Sequence, residues 1–182
     1  MIRSIGLIEL NSIAKGIETA DTMIKAAKVH LLLAKTVCPG KYIVLIAGNV
    51  GAVEASVAAG LECGGAYVVD ELIIPNIHPQ LIPAINSSTE VERLRSLGVM
   101  EFFSIASAIV AADAAVKAAD VELIEVRPGI GIGGKAFVTL TGEVSAVRSA
   151  VESGAAAVLK SGMMVNKVVI PSPGKELLQS LL

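Results

Sequence analysis

The residue best placed to do chemistry in this chain is Cys38, which Pro39 and Gly40 follow directly. A Pro-Gly pair is typical of a turn, so the thiol is predicted at an exposed loop tip, whereas a free cysteine is more often a small buried apolar residue. A cysteine followed by proline also ends some iron–sulfur ligand runs. One thiolate cannot hold a cluster, so a metal role requires several copies of the chain to bring their cysteines together.

A second candidate is the glycine-rich segment 129–135, which reads Gly-Ile-Gly-Ile-Gly-Gly-Lys. It fits the dinucleotide-binding pattern G-x-G-x-x-G and the start of a Walker A loop, but both mechanisms need the loop to open a helix whose amides bind phosphate. The residues that follow predict a strand, and Ala136 stands where Walker A needs a hydroxyl. A flexible hairpin loop that contains Gly129, Gly131 and Gly133 is the favoured interpretation.

The other potential ligands and nucleophiles are scattered along the chain. His30 and His78 are the only histidines, and they have no ligand spacing to each other or to Cys38. No nucleophile–base pattern and no carboxylate pair indicates catalysis. These residues therefore give no support for catalysis.

These residues must be positioned by a domain that occurs twice. The matched residues lie 92 positions apart at first, and the offset then grows to 94 and to 96, which indicates small insertions in the loops. Because this period far exceeds the roughly 20–50 residues of solenoid repeats, we infer a tandem duplication, with domains at residues 1–88 and 89–182. The matched pairs include Glu9 and Glu101, Lys25 and Lys117, Lys41 and Lys135, and Pro75 and Pro171.

Each half is predicted to have the element order β-α-β-β-α-β, which is the ferredoxin-like arrangement of the α+β class. In the first half we expect strands at residues 4–10, 30–34, 42–47 and 67–74, and helices at about 12–28 and 51–60. The apolar stripe of the first helix consists of Ile13, Ile17, Ala20, Ile24 and Ala27, and the second half repeats it as Ile105, Ile109, Ala112, Val116 and Ala119.

Composition limits the partners of the chain. Hydrophobic residues make up 53% of the 182 residues and the mean hydropathy is +0.70, yet no run approaches the roughly 18 uncharged apolar residues of a membrane helix. The excess apolar sequence is therefore expected in subunit interfaces. The net charge of −2 argues against nucleic acid, and two cysteines without Cys-x-x-Cys spacing indicate a reduced, cytosolic compartment.

The duplicated pattern resembles the shell domain of bacterial microcompartments (BMC), in its unpermuted form. Four segments carry the resemblance in each half, at residues 5–9, 21–27, 48–53 and 74–75 and at residues 97–101, 113–119, 142–147 and 170–171. The tandem arrangement and the segment Thr36-Val37-Cys38-Pro39-Gly40-Lys41 resemble the PduT-type branch of trimeric shell proteins.

This resemblance implies a homotrimer that mimics a hexamer and tiles a shell facet, in the cytoplasm, together with other shell proteins. In that branch the cysteine matching Cys38 lies on the threefold axis, where three copies hold one iron–sulfur cluster, expected here as 4Fe–4S. The family's edge lysine matches Lys25 and Lys117, although each also follows an aspartate by four residues, as in an ordinary helix salt bridge. The loops that would line the central pore contain Thr36, Val37, Cys38, Pro39 and Gly40 in the first domain and Gly129, Gly131 and Gly133 in the second.

Three functions stay open at this point. The first is a shell protein whose pore carries the cluster for electron transfer or cluster delivery, with a redox partner in the lumen or the cytosol. The second is the same shell protein without a cluster, passing small metabolites through the pore. The third, from a different class, is a trimeric ferredoxin-like ligand sensor or enzyme.

Overall fold

The computed structural model describes residues 3–91, 93–129, 133–174 and 176–177. By their contacts, the residues form two compact units, Met1–Ile77 with Ile130–Gly134, and His78–Gly129 with Lys135–Leu182. In the described part of the chain, no helix is long and apolar enough to cross a membrane.

The first unit has the predicted element order. Its strands are β1 (Ser4–Leu10), β2 (His30–Val37), β3 (Lys41–Gly48) and β4 (Val68–Pro75), and its helices are α1 (Ile13–Ala26) and α2 (Val50–Gly64). The sheet order is β2-β3-β1-β4 with antiparallel neighbours, which confirms the ferredoxin-like prediction. Strand β2 runs three residues further than the sequence suggested.

The second unit repeats this arrangement after a short additional helix, α3 (Leu81–Ile85). Its strands are β5 (Ser96–Phe102), β6 (Val121–Pro128), β7 (Ala136–Gly142) and β8 (Met164–Ile170), and its helices are α4 (Ile105–Ala118) and α5 (Val144–Ala157). The sheet order is β6-β7-β5-β8. The strand registers of the two sheets also match, with Leu7 opposite Leu45 in one and Val99 opposite Thr139 in the other.

Local sequence explains where the helices begin and how they pack. The Ser12 and Ser104 hydroxyls accept hydrogen bonds from the amides of Lys15 and Ser107 at 3.3 and 3.2 Å, so each caps the N-terminus of its helix. Helices α1 and α2 meet around Cys63, whose Sγ accepts hydrogen bonds from the hydroxyls of Thr19 and Thr22 at 3.8 and 3.5 Å. This cysteine therefore has a structural role.

The apolar stripe of α1 coincides with its buried face only at Ala20. Ile13, Ile17 and Ile24 are 41%, 56% and 42% exposed, although an apolar stripe normally faces the core. The buried face consists of Gly16, Thr19, Ala20 and Met23. It packs closely at Gly16, where a Cβ would lie 2.5 Å from the ring of Tyr42. In α4 the residues matching the three isoleucines, Ile105, Ile109 and Val116, are all buried.

Close helix packing in the second unit leads to a stability prediction. A Cβ at Gly154 would lie 2.8 Å from the backbone oxygen of Ala111, so we expect Gly154→Ala to lower the free energy of unfolding by about 1–3 kcal/mol. The matched control is Gly51→Ala on the open side of α2, where nothing lies within 4 Å and stability should stay equal or rise by up to about 1 kcal/mol. Urea unfolding followed by circular dichroism measures both. Equal effects of the two changes would contradict the packing argument.

Candidate functional site

Cys38 lies at the tip of the tightest connection in the first sheet. Val37 pairs with Lys41 across the β2–β3 hairpin, so the turn consists of Cys38, Pro39 and Gly40. Gly40 has a φ of +80°, in the left-handed region that favours glycine. Cys38 is a free, half-buried thiol, while Pro39 and Gly40 are exposed. The thiol is therefore held at an accessible hairpin tip.

A partly buried ion pair anchors the base of this turn. The Lys41 ammonium lies 2.7 Å from Oε1 of Glu9, a residue that is only 1% exposed. The second unit repeats the pair as Lys135 and Glu101 at 2.8 Å. Glu9 therefore balances the charge of Lys41 at the end of the turn.

The glycine-rich loop approaches the Cys38 turn through a residue that the sequence did not single out. A Cβ at Gly134, which belongs to the first unit, would lie 2.9 Å from both the Cys38 carbonyl oxygen and Pro39 Cδ. Its φ of +82° also favours glycine. Gly129 and Gly133 likewise have positive φ, whereas Gly131 lies outside the described residues. The sequence did carry a signal for this residue, because the adjacent glycines Gly133 and Gly134 are typical of a turn with positive φ.

The two candidate edge lysines occupy different surroundings. Lys25 pairs with Asp21 at 2.5 Å, and both side chains are exposed, at 72% and 56%. Lys117 pairs with Asp113, whose side chain is only 8% exposed and also accepts the His78 backbone N–H at 2.8 Å. The two pairs match in sequence, but only the first is a solvated surface pair.

The chemistry available to a single chain is limited. Among the described residues, no group of three His, Cys, Asp or Glu side chains is arranged to hold a metal ion. His78 accepts a 3.4 Å hydrogen bond from the Gln80 amide through Nδ1, and His30 is exposed on β2. One chain therefore offers the Cys38 thiol as its loop donor, since the Cys63 sulfur is already bonded to Thr19 and Thr22.

Comparisons with known proteins agree with the duplicated fold. A family model described as the BMC domain matches residues 4–77 and again residues 96–173. The chain is 43% identical to the bacterial microcompartment shell protein PduT of Citrobacter freundii, over 95% of this chain and 94% of the relative. It is also 34% identical to the carboxysome shell protein CcmK2 of Synechocystis, over 51% of this chain and 96% of the relative.

A solved structure shows the same arrangement over the full length. The crystal structure of a microcompartment protein from Desulfitobacterium hafniense has a TM-score of 0.92 to this chain at 55% sequence identity, and the match covers 98% of this chain and 99% of the other. CcmK2 matches about one half of the chain and the other two proteins match nearly all of it, as expected for a duplicated domain.

Proposed function

Because the chain belongs to the BMC-domain family of bacterial microcompartment shell proteins, we propose that it is a structural tile of such a shell, located in the cytoplasm, rather than an enzyme. The observation that carries this proposal is the match along nearly the whole chain to a two-domain shell protein. The tile would pack beside other shell proteins through its edges, where Lys25 and Lys117 are the proposed contact residues.

The assembly unit that we propose is a homotrimer in which six domains form a closed ring. Closed rings are the usual product of head-to-tail contacts that complete a rotation. The exposed isoleucines Ile13, Ile17 and Ile24 support this proposal, because a helix face of this kind usually marks an interaction site. The same stripe is buried in α4, so the first unit alone presents it to a neighbour.

We further propose that the Cys38 turns of three copies converge on the ring axis and hold one iron–sulfur cluster, of the 4Fe–4S type in view of the family resemblance. The donor fits, since thiolate sulfur is the usual ligand of such clusters and the thiol is free and accessible. An iron–sulfur cluster supplies one-electron transfer when bound. The chain would contribute thiolates held on short, anchored hairpins, and a redox partner would exchange electrons or receive the cluster.

The ring proposal predicts a specific mass. Native mass spectrometry should give a species of three chains, about 56 kDa from the chain mass of 18.6 kDa, and electron microscopy should show flat ordered sheets at high protein concentration. A stable monomer that forms no sheets would contradict the shell proposal and favour the ligand sensor or enzyme. Trimers that bind no iron would leave the metabolite pore as the function.

A further inference from the structure

The short helix α3 and the residues before it cover a surface of the second unit. Leu81, Ala84 and Ile85 are at most 4% exposed, and α3 packs against β6 and α4. Strand β6 is an edge strand of its sheet. An uncovered edge strand with apolar side chains is prone to pair with another chain, so this helix protects a vulnerable surface.

Polar contacts fix the position of this covering segment. The His78 amide donates to Asp113 on α4 at 2.8 Å. The Gln80 side chain then bonds twice to the outer edge of β6, donating to the Val121 carbonyl at 3.1 Å and accepting from the Leu123 amide at 2.7 Å. The segment is therefore bonded in a defined register to both α4 and β6.

The equivalent surface of the first unit, which we call the α1–β2 surface, is exposed. It comprises Ile13, Ile17, Asp21, Ile24 and Leu31, and its four apolar members are 41–56% exposed. Strand pairing identifies Leu31 as the counterpart of Leu123, because both precede the same register shift against the third strand of their sheet. Strand β2 is likewise an edge strand.

The segment after β8 repeats the apolar spacing of the segment after β4. At an offset of 96 residues, Leu177, Leu178 and Leu181 match Leu81, Ile82 and Ile85, and Glu176 matches Gln80. A hydrogen bond is repeated as well: the Leu177 amide donates to Gly174 at 3.1 Å, and the Leu81 amide to His78 at 3.0 Å. Leu177 is nevertheless 37% exposed, whereas Leu81 is fully buried.

We propose that residues 174–182 of one copy dock on the α1–β2 surface of a second copy, as residues 78–85 dock on α4 and β6 within the chain. Leu177 would occupy the place of Leu81, and the Glu176 carboxylate would accept the Leu31 amide as Gln80 accepts that of Leu123. The contact is head-to-tail, so it can propagate around a closed ring. It rests on the ring proposed above but adds the contact that would connect the copies.

Disulfide trapping between two different variants tests this docking. In a Cys38→Ser, Cys63→Ala background, one sample carries Leu31→Cys and the other Glu176→Cys. After the two are mixed, dissociated, reassembled and oxidised, we expect a two-chain disulfide-linked product that greatly exceeds the product of a mixture in which Leu159→Cys replaces Leu31→Cys. Leu159 is a suitable control because it is an apolar residue, 78% exposed, outside the α1–β2 surface.

A second variant measures how much the surface contributes to association. Ile17→Asp should raise the protein concentration at which the oligomer half-dissociates by about tenfold or more, as for a buried interface residue, whereas Leu159→Asp should leave it unchanged. Two results would overturn the docking proposal alone. The first is a trimer that forms no disulfide between the mixed variants. The second is a disulfide within one chain when Leu31→Cys and Glu176→Cys are placed in the same chain. The absence of any oligomer in native mass spectrometry would overturn the ring and the docking together.

Discussion

Replacing Cys38 with serine is expected to abolish iron binding, from about four irons per three chains to none, while the oligomer persists. Cys38 is half-buried on a three-residue turn whose other two residues are exposed, so its conservative replacement by serine should not disturb folding. Three identical chains supply three thiolates, and a 4Fe–4S cluster usually has four. One iron would therefore lack a protein thiolate, and we expect it to be lost readily in air to give a 3Fe–4S form.

The measurement is iron content after anaerobic reconstitution, with absorption and electron paramagnetic resonance spectra of the same samples. Cys63→Ala is the matched control, because it also removes one thiol per chain but at a site bonded to Thr19 and Thr22 between two helices. It should retain the iron. Wild-type protein with no more iron than Cys38→Ser would refute the cluster and leave the metabolite pore as the proposed function.

Removing the exposed lysine of the first unit is expected to prevent the formation of ordered sheets while trimers remain. The Lys25 side chain is 72% exposed and its partner Asp21 is 56% exposed, so their ion pair should contribute no more than about 1 kcal/mol to folding. Lys25→Ala should therefore fold normally. If Lys25 donates to a neighbouring tile, sheets should require at least about tenfold more protein or fail to form.

The choice of lysine matters for this experiment. Lys117→Ala would leave the buried carboxylate of Asp113 with one fewer partner, which carries a stability cost of its own. Lys15→Ala is the matched control, because Lys15 lies on the same helix as Lys25 and also pairs with a carboxylate, that of Glu18, at 2.7 Å. Sheets of Lys25→Ala that appear at the wild-type concentration would make Lys25 an ordinary surface residue.

The element order and the strand pairing could be predicted from sequence, because the duplication supplies each pattern twice and apolar runs separate clearly from turns. The inward face of α1 could not be predicted, because the buried residues Gly16, Thr19, Ala20 and Met23 are less apolar than the stripe. The close approach of Gly16 to Tyr42, which favours this face, is a tertiary contact without a local signal. Helix α3 was missed because it is five residues long and contains Pro83, which normally interrupts a helix.

The candidate site was predicted in part. Pro39 and Gly40 were sufficient to place Cys38 in a turn, since their backbone preferences are local. The pairing of Lys41 with Glu9 and the contact of Gly134 with the Cys38 turn depend on residues 32 and 96 positions apart in sequence. Neither pair leaves a local pattern, so single-sequence reasoning had no signal for their contacts.

The unequal length of the two hairpin turns affects how such a ring can evolve or be redesigned. Residues 38–40 separate β2 from β3 in the first unit, whereas the longer segment 129–135 separates β6 from β7 in the second. In a ring of six single-domain chains, every substitution would appear six times around the central pore. Six copies of a new metal-binding side chain would then clash with one another. In the trimer proposed above each change would appear three times, so one set of turns could acquire a function while the other keeps its shape.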